Sequence, residues 1–228
     1  MYDRFNEFRL RTQDGLIVCG TPHKGTQMFL RRLIVAGFML STAWASADTY
    51  TLDPNHTQVQ FVWNHYGFTD LVGQFGKIGG TLEFNAVDPT KSSVTATIGM
   101  ASVNSNVQKL DEKLQSSDYF DVAKFPTATF KSTKVEKAAT PDHLKVTGDL
   151  TLHGVTKPVT LDVTVTKVGQ HPLRKAAAAG FEATTTLKRS DFGITTYLPM
   201  AADEVKIHIA AEAVEARALA AGSKPPQK

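Results

Sequence analysis

Residues 142–168, DHLKVTGDLTLHGVTKPVTLDVTVTKV, alternate apolar and polar side chains with a period of two. Leu144, Val146, Leu150 and Leu152 fall on one face of an extended chain; Lys145, Thr147, Asp149 and Thr151 fall on the other. After the break at HGVTKP the alternation resumes, with Val159, Leu161, Val163 and Val165 set against Thr160, Asp162, Thr164 and Thr166. Successive side chains of a strand point to opposite faces, so this stretch predicts a hairpin with one apolar and one wet face. Pro158 is expected to keep the connection out of the ladder.

The same period recurs along the chain. TQVQFVWNH places Val59, Phe61, Trp63 and His65 together, and GGTLEFNAV places Leu82 and Phe84 together before a turn at DPTK. SVTATIGMAS aligns Val94, Ala96, Ile98 and Met100, and the shorter TATFKSTKV carries Phe130. GFEATTTLKR aligns Phe181, Ala183 and Leu187, and DEVKIHIAAEAVEA aligns Val205, Ile207 and Ile209. Eight strands rich in Val and Thr result, as β-propensity favours. Helical spacing occurs in NSNVQKLDEKLQSSDYFDVAKFP, where Val107, Leu110 and Leu114 align, Asn104 or Ser105 is a candidate cap and Pro126 closes the segment. One or two short helices fit there. KAAAAG, between Pro172 and Gly180, reads as a loop.

Eight one-sided strands and little helix make an all-β fold with two candidate architectures. One is a two-layer sandwich whose inner faces pack into a dry core. The other is a closed eight-stranded antiparallel barrel, wide enough to be filled by side chains or to hold one slim ligand. A period of two is common to both.

Upstream, the stretch MFLRRLIVAGFMLSTAWASADTY begins at Met28. Arg31 and Arg32, an apolar run from Leu33 to Leu40 and a small-residue site at Ala45–Ala47 follow in the order of a secretory signal peptide. The run is short of the ~20 residues a membrane span needs. The expected organisation is therefore an over-long start over 1–27, a signal peptide over 28–47 cleaved after Ala47, a β-domain over 48–216 and a frayed tail over 217–228. The expected compartment is the periplasm. Cleavage removes six of the 25 Lys and Arg and three of the 22 Asp and Glu, which leaves the two charges equal in number. A neutral domain lacks the basic footprint of a nucleic-acid binder. The single cysteine, Cys19, is lost as well, so the exported domain relies on its core rather than on disulfides.

Candidate chemistry is sparse. His56, His65, His143, His153, His171 and His208 show no pair at the spacing of a compact metal site, so no metal ligand is assigned. His65, in phase with Trp63, is either a structural histidine or a hydrogen-bond partner for a polar head group. Ser190 and Asp191 adjoin in KRSDFGI, but neighbouring strand residues point apart and no histidine is tied to them. Asp191 is read as bonding backbone at a strand end. Nucleophile elbow, phosphate loop and dinucleotide turn are all missing, so no catalytic residue is assigned and the chain is read as a non-enzyme.

Six landmarks occur in order: YTLDPNHTQVQFVWNHYGFTDLVGQF, ASVNSN, SSDYFDVAKFPTATFKST, VTGDLTLHGVTKPVTLDV, GFEATTTLKRSDFGI and DEVKIHI. With them the chain resembles the YceI family of extracytoplasmic, lipocalin-like proteins from about Tyr50 to Ala216. The resemblance implies an elongated eight-stranded antiparallel barrel around an apolar tunnel that holds an isoprenoid lipid or quinone tail. It implies no metal or covalent cofactor, a tendency to form homodimers, and transient membrane contact for lipid exchange. The tunnel lining would then be Phe61, Trp63 and His65; Leu82 and Phe84; Ile98 and Met100; Phe130; Leu144, Val146, Leu150 and Leu152; Val163; Phe181; and Ile207. One departure stands out. Where family members often carry Arg-Asp-x-His-Leu, this chain has Leu110, Asp111, Glu112, Lys113 and Leu114, so the Arg and His positions are occupied by Leu110 and Lys113.

Overall fold

In the computed structural model, residues 48–217 are described; the expectations for 1–47 and for the tail beyond 217 lie outside them. The alternating segments all become antiparallel strands, and three of the staves they form are broken in two. Strand β11 (Glu204–Glu215) pairs with β2 (Gln58–His65) from Val205↔Trp63 to Ala210↔Gln58, and with β1 (Asp48–Leu52) from Leu52↔Ala213 to Tyr50↔Glu215. Strands β1 and β2 are thus one stave interrupted at Asp53–Thr57. Strands β3 (Thr69–Phe75) and β4 (Ile78–Phe84) form the next, interrupted at Gly76–Lys77, and pair with β2 and β1 respectively. Strands β5 (Ser93–Gly99) and β6 (Val103–Asn104) form the third, interrupted by a 3-10 turn at Met100–Ser102.

The remaining staves are unbroken: β7 (Thr127–Lys137), β8 (His143–Leu152), β9 (Val155–Gln170) and β10 (Ala177–Lys188), each paired with its neighbours in chain order. The ring therefore closes as an eight-stranded antiparallel barrel, and the two-layer sandwich is ruled out. A closed sheet has one interior and no long free edge.

Several local expectations are corrected. Pro158 sits inside the β8–β9 ladder opposite Asp149, and the hairpin turns tightly at His153 and Gly154. Both have positive φ, 52° and 75°, the geometry that suits the twist of a two-residue hairpin. The proline is tolerated because β9 has β10 beside it only from Asp162 onward, so the side of Pro158 away from β8 lacks a ladder neighbour. The run KAAAAG is not a loop throughout: β10 starts at Ala177, where small side chains let Ala179 pack against Ala213. Strands β1, β3 and β6 add to those read from the pattern. Among the described residues, helical structure comprises α1 (Gln108–Gln115) and short 3-10 turns. Its N-cap is Val107 rather than Asn104 or Ser105, and the Asp111 carboxylate reaches back to accept from Ser105 N–H at 2.7 Å and Ser105 Oγ at 2.6 Å.

The break between β1 and β2 is held by a buried carboxylate. Asp53 is fully buried. Its oxygens accept from Asn55 N–H at 3.0 Å, from Arg174 Nη2 at 2.5 Å and share a hydrogen bond with His56 Nδ1 at 2.9 Å. Its own N–H donates to Glu212 O at 2.7 Å, and His171 Nε2 lies 3.3 Å from Glu212 Oε1. The connection between β9 and β10 is thereby locked to the segment that follows β1, through residues 121 positions apart. Burial pushes the Asp53 carboxyl up, but the bonds from His56 and Asn55 and the charge of Arg174 outweigh it and hold the carboxyl below its usual range. The hydrogen bond to Asp53 raises His56 in turn.

Removing a buried, charge-paired acceptor strands its donors, which costs about 2–4 kcal/mol. Asp53→Ala is expected to lower unfolding stability by that amount in urea titration, and Arg174→Ala by less. The pH dependence follows from the signs of the shifts. The Asp53 contribution is complete above its unfolded pKa and is lost as pH falls through the lower folded value. The His56 contribution is complete below its unfolded pKa and is lost as pH rises through the higher folded value. Both are present between about pH 4 and pH 6.5. A stability profile of Asp53→Ala subtracted from the parent profile should be largest in that window.

Candidate functional site

Closing eight one-sided strands aims every apolar face at one axis. The inner side chains leave an internal cavity of about 280 Å³ that is partly open to the outside. Phe61 and Trp63 of β2 line it, with Leu82 and Phe84 of β4, Ile98 of β5 and Met100 of the following 3-10 turn. The other staves contribute Phe130 of β7, Leu144, Val146, Leu150 and Leu152 of β8, Val163 of β9, Phe181 of β10 and Ile207 of β11. These fourteen positions, read from alternation, are brought onto one surface.

His65 is not among them. It is the last residue of β2, where the chain turns through Tyr66 (φ 56°) and Gly67 (φ 79°), and its ring packs on Tyr66 with centroids 4.1 Å apart. The turn takes it past the rim of the barrel.

Space inside is shaped by two inward glycines. A Cβ on Gly73 would lie 2.3 Å from the Phe61 ring, and one on Gly148 would lie 2.5 Å from the Phe130 ring. Each aromatic ring therefore lies flat over the strand beside it instead of projecting across the axis. Phe61 stacks on Trp63 at 5.5 Å and meets Phe75 and Phe120 at 5.2 and 6.0 Å, so one wall of the cavity is aromatic.

Two segments outside the strand pattern cover the end of the barrel at which β2 and β10 finish. Leu114, Tyr119 and Phe120 come from the α1 region, and Phe192, Ile194 and Ala201 come from the stretch between β10 and β11. Thr196 Oγ1 donates to Asp118 O at 2.7 Å and ties the two together. Alternation has no bearing on these residues; the signal available was the density of aromatics in SSDYFDVAKF and SDFGITTYLPM, both otherwise turn-like.

Two polar side chains on the lining, Arg189 and Ser92, are bonded to the backbone. Arg189 is buried, and its Nε and Nη1 donate to Ala202 O at 2.9 Å and Ile194 O at 3.1 Å. Ser92 Oγ accepts from Asn85 N–H at 3.0 Å. Asp203, not Asp191, bonds the strand end: it accepts from Ser190 N–H at 2.9 Å and Ser190 Oγ at 2.8 Å. Burial pushes the Asp203 carboxyl up, and these bonds with Arg189 nearby bring it below its usual range. Burial also raises the Tyr119 phenol. Ser190 thus serves as a staple of the covering segment, bonded to Asp203 through both its N–H and its hydroxyl.

A group of potential metal ligands lies on the outside of the barrel, where Asp53, His56 and Glu212 bring one ligand atom each within 4.8 Å of one another. Residue spacing is blind to it because Glu212 lies far along the chain. The Arg174 guanidinium already occupies the Asp53 carboxylate, which makes the cluster an ion-paired clamp and a poor cation site. The cavity itself is suited to one task, enclosing an apolar body by shape.

Known proteins match this arrangement closely. The YceI-like domain model matches residues 50–213. Protein YceI of Salmonella arizonae is 40% identical over 183 residues, which is 79% of this chain and 94% of that protein. The crystal structure of Burkholderia cenocepacia BcnA superposes with a TM-score of 0.64 at 27% identity, covering 71% of this chain and 98% of that one. A polyisoprenoid binding domain from Saccharophagus degradans shares the fold at 15% identity, with a TM-score of 0.55 and coverage of 75% and 99%. With the matched model spanning nearly all of the barrel, the chain belongs to the YceI-like family.

Proposed function

We propose that the protein is an exported, non-enzymatic carrier that holds the tail of an isoprenoid lipid or quinone inside the barrel. The observation that carries this reading is the internal cavity, whose walls are apolar on every stave and whose one charged residue, Arg189, is bonded to backbone carbonyls. Such a surface recognises a hydrocarbon by shape and burial and offers nothing to activate a bond. The shared fold of the Saccharophagus degradans polyisoprenoid binding domain supports the ligand class, and the signal-like order of residues 28–47 supports export to the periplasm. Neither a metal nor a covalent cofactor enters the reading.

Size refines it. A cavity of ~150 Å³ holds one benzene ring, so this one has room for roughly twelve carbons, or about two isoprene units, before the walls adjust. Each buried methylene contributes about 0.8 kcal/mol at best. Affinity for quinones sharing one head group is therefore expected to climb over the first two or three isoprene units and then level off. Titrations followed by intrinsic tryptophan fluorescence check this, since Trp63 lies on the lining. Affinity that ignores tail length but follows the head group would overturn the reading.

A filled cavity provides the second test. Ala183 is buried and lines the cavity. Ala183→Leu is expected to weaken lipid binding at least tenfold while the melting temperature stays level or rises. In a close-packed dry core the same insertion costs about 1–3 kcal/mol and lowers the melting temperature by several degrees. That outcome, together with no co-extracted lipid, would favour a β-barrel interaction module without ligand.

A further inference from the structure

We infer that the covered end of the barrel is a membrane-docking face, and that Tyr66, Phe68, Tyr197 and Met200 enter the interface of a neutral phospholipid bilayer there. That lipid passes through this end rests on the carrier reading above; the docking does not.

The four side chains sit on two turns that meet. Tyr66 and Phe68 form the turn between β2 and β3, and Tyr197 and Met200 lie in the segment between β10 and β11. Ala202 N–H donates to Asn64 O at 3.1 Å, which joins one turn to the other. The first turn is stiff: Gly67 N–H donates to Asn64 Oδ1 at 2.6 Å and Phe68 N–H to His65 O at 3.0 Å. Phe68 is 89% exposed, Met200 64%, Tyr197 46% and Tyr66 39%. A single exposed apolar residue needs no explanation, but a cluster of large ones held outward by a bonded turn does.

Size and chemistry decide the occupant. The four side chains together expose roughly 500 Å². A stable protein interface needs about 800 Å² from each partner, so a second copy of the chain is poorly served by this patch. Tyrosine has an apolar body with a polar tip, the form enriched where a bilayer meets water. Lys113 is paired with Asp118, while Asp203 and Asp70 accept from the neutral donors Ser190 and Asn64 (2.9 Å), so these carboxylates add negative charge that an anionic surface would repel. The face is therefore matched to zwitterionic lipid rather than to an anionic surface.

Position gives the patch its use. The segment that presents Tyr197 and Met200 outward also presents Ile194 and Ala201 inward, where they are buried on the cavity wall. Trp63, on the lining, lies three residues before Tyr66. A bilayer that takes up the outer side thus touches the element that covers the cavity, and a lipid tail can move between bilayer and barrel without crossing water. The opposite end has exposed Val87 and Leu173, but on separate turns and with no aromatic beside them.

Two reporters test the face. Phe68→Trp and Leu173→Trp are mixed with phosphatidylcholine vesicles carrying brominated acyl chains, each read against the parent protein. The expected result is a blue shift and quenching of the Phe68→Trp emission alone. Equal quenching of both, or of neither, overturns the inference. Phe68→Asp and Met200→Asp are expected to slow quinone transfer from vesicles at least tenfold, with melting temperature and affinity for a short-tailed, water-soluble quinone unchanged, while Leu173→Asp transfers normally. Transfer that is untouched by the first two overturns the role in exchange. A dimer that Phe68→Asp converts to monomer would show a second copy on the patch and overturn the docking. Quenching of Phe68→Trp in a protein that takes up no isoprenoid from any source would keep the docking face, and would overturn both the exchange role and the carrier reading.

Discussion

The first stave closes the ring against β11, and the β1 half of that junction is short. Only Tyr50, Thr51 and Leu52 pair across it, against Glu215, Val214 and Ala213. Without it only the β2 half of the stave, from Gln58 to Trp63, would hold β11, and the barrel would open at its β1 end. The seam survives on two supports. Ala213 and Val214 are completely buried, so separating the strands exposes apolar surface. Asp53, the residue that follows β1, is fixed from three directions by Asn55, His56 and Arg174, and its N–H binds Glu212 O on β11. A buried carboxylate is tolerable there because every partner is in place; the same group half-satisfied would destabilise the very strand it anchors.

From closure follows the cavity. Inward positions on eight staves cannot all carry large side chains, and they cannot all be small without the walls falling in. This chain resolves the conflict by alternating the two. Gly73 and Gly148 receive the rings of Phe61 and Phe130, while Ala96, Ala128 and Ala183 leave space on facing strands. The aromatic rings give rigid walls, and the alanines set the volume between them. Stability and emptiness are thus served by different residues.

The alternation of β2, β4, β5 and β7 to β11 was readable because their inward residues are large and their outward ones polar. Strand β3 escaped because its inward set is Leu71, Gly73 and Phe75, with a glycine in the middle and Val72 exposed on the other side. The start of β10 escaped because a run of alanines has no period. Pro158 misled because a proline is compatible with a ladder wherever one side of the strand is free. Barrel and sandwich were inseparable by pattern, since the deciding pairs join residues more than 160 positions apart. The covering segments were invisible for a different reason: they line the cavity from turns, where side-chain direction is set by individual hydrogen bonds such as Thr196 to Asp118 and not by a repeat.

The two departures from the family's helical motif acquire meaning in this setting. Leu110 packs against the core beneath α1, and Lys113 points to the surface and pairs with Asp118, whose own carbonyl receives Thr196. Where an arginine and a histidine would offer charge or a titrating ring near the end of the cavity, this chain places one more apolar contact and one ion pair that braces the cover. The remaining cation at that end, Arg189, is spent on the carbonyls of the segment it anchors. Polar recognition has been withdrawn from the interior and moved into holding the cover shut. Under the proposed carrier role, selectivity would then rest on the length and flatness of the hydrocarbon more than on the head group, because the lining is almost wholly apolar.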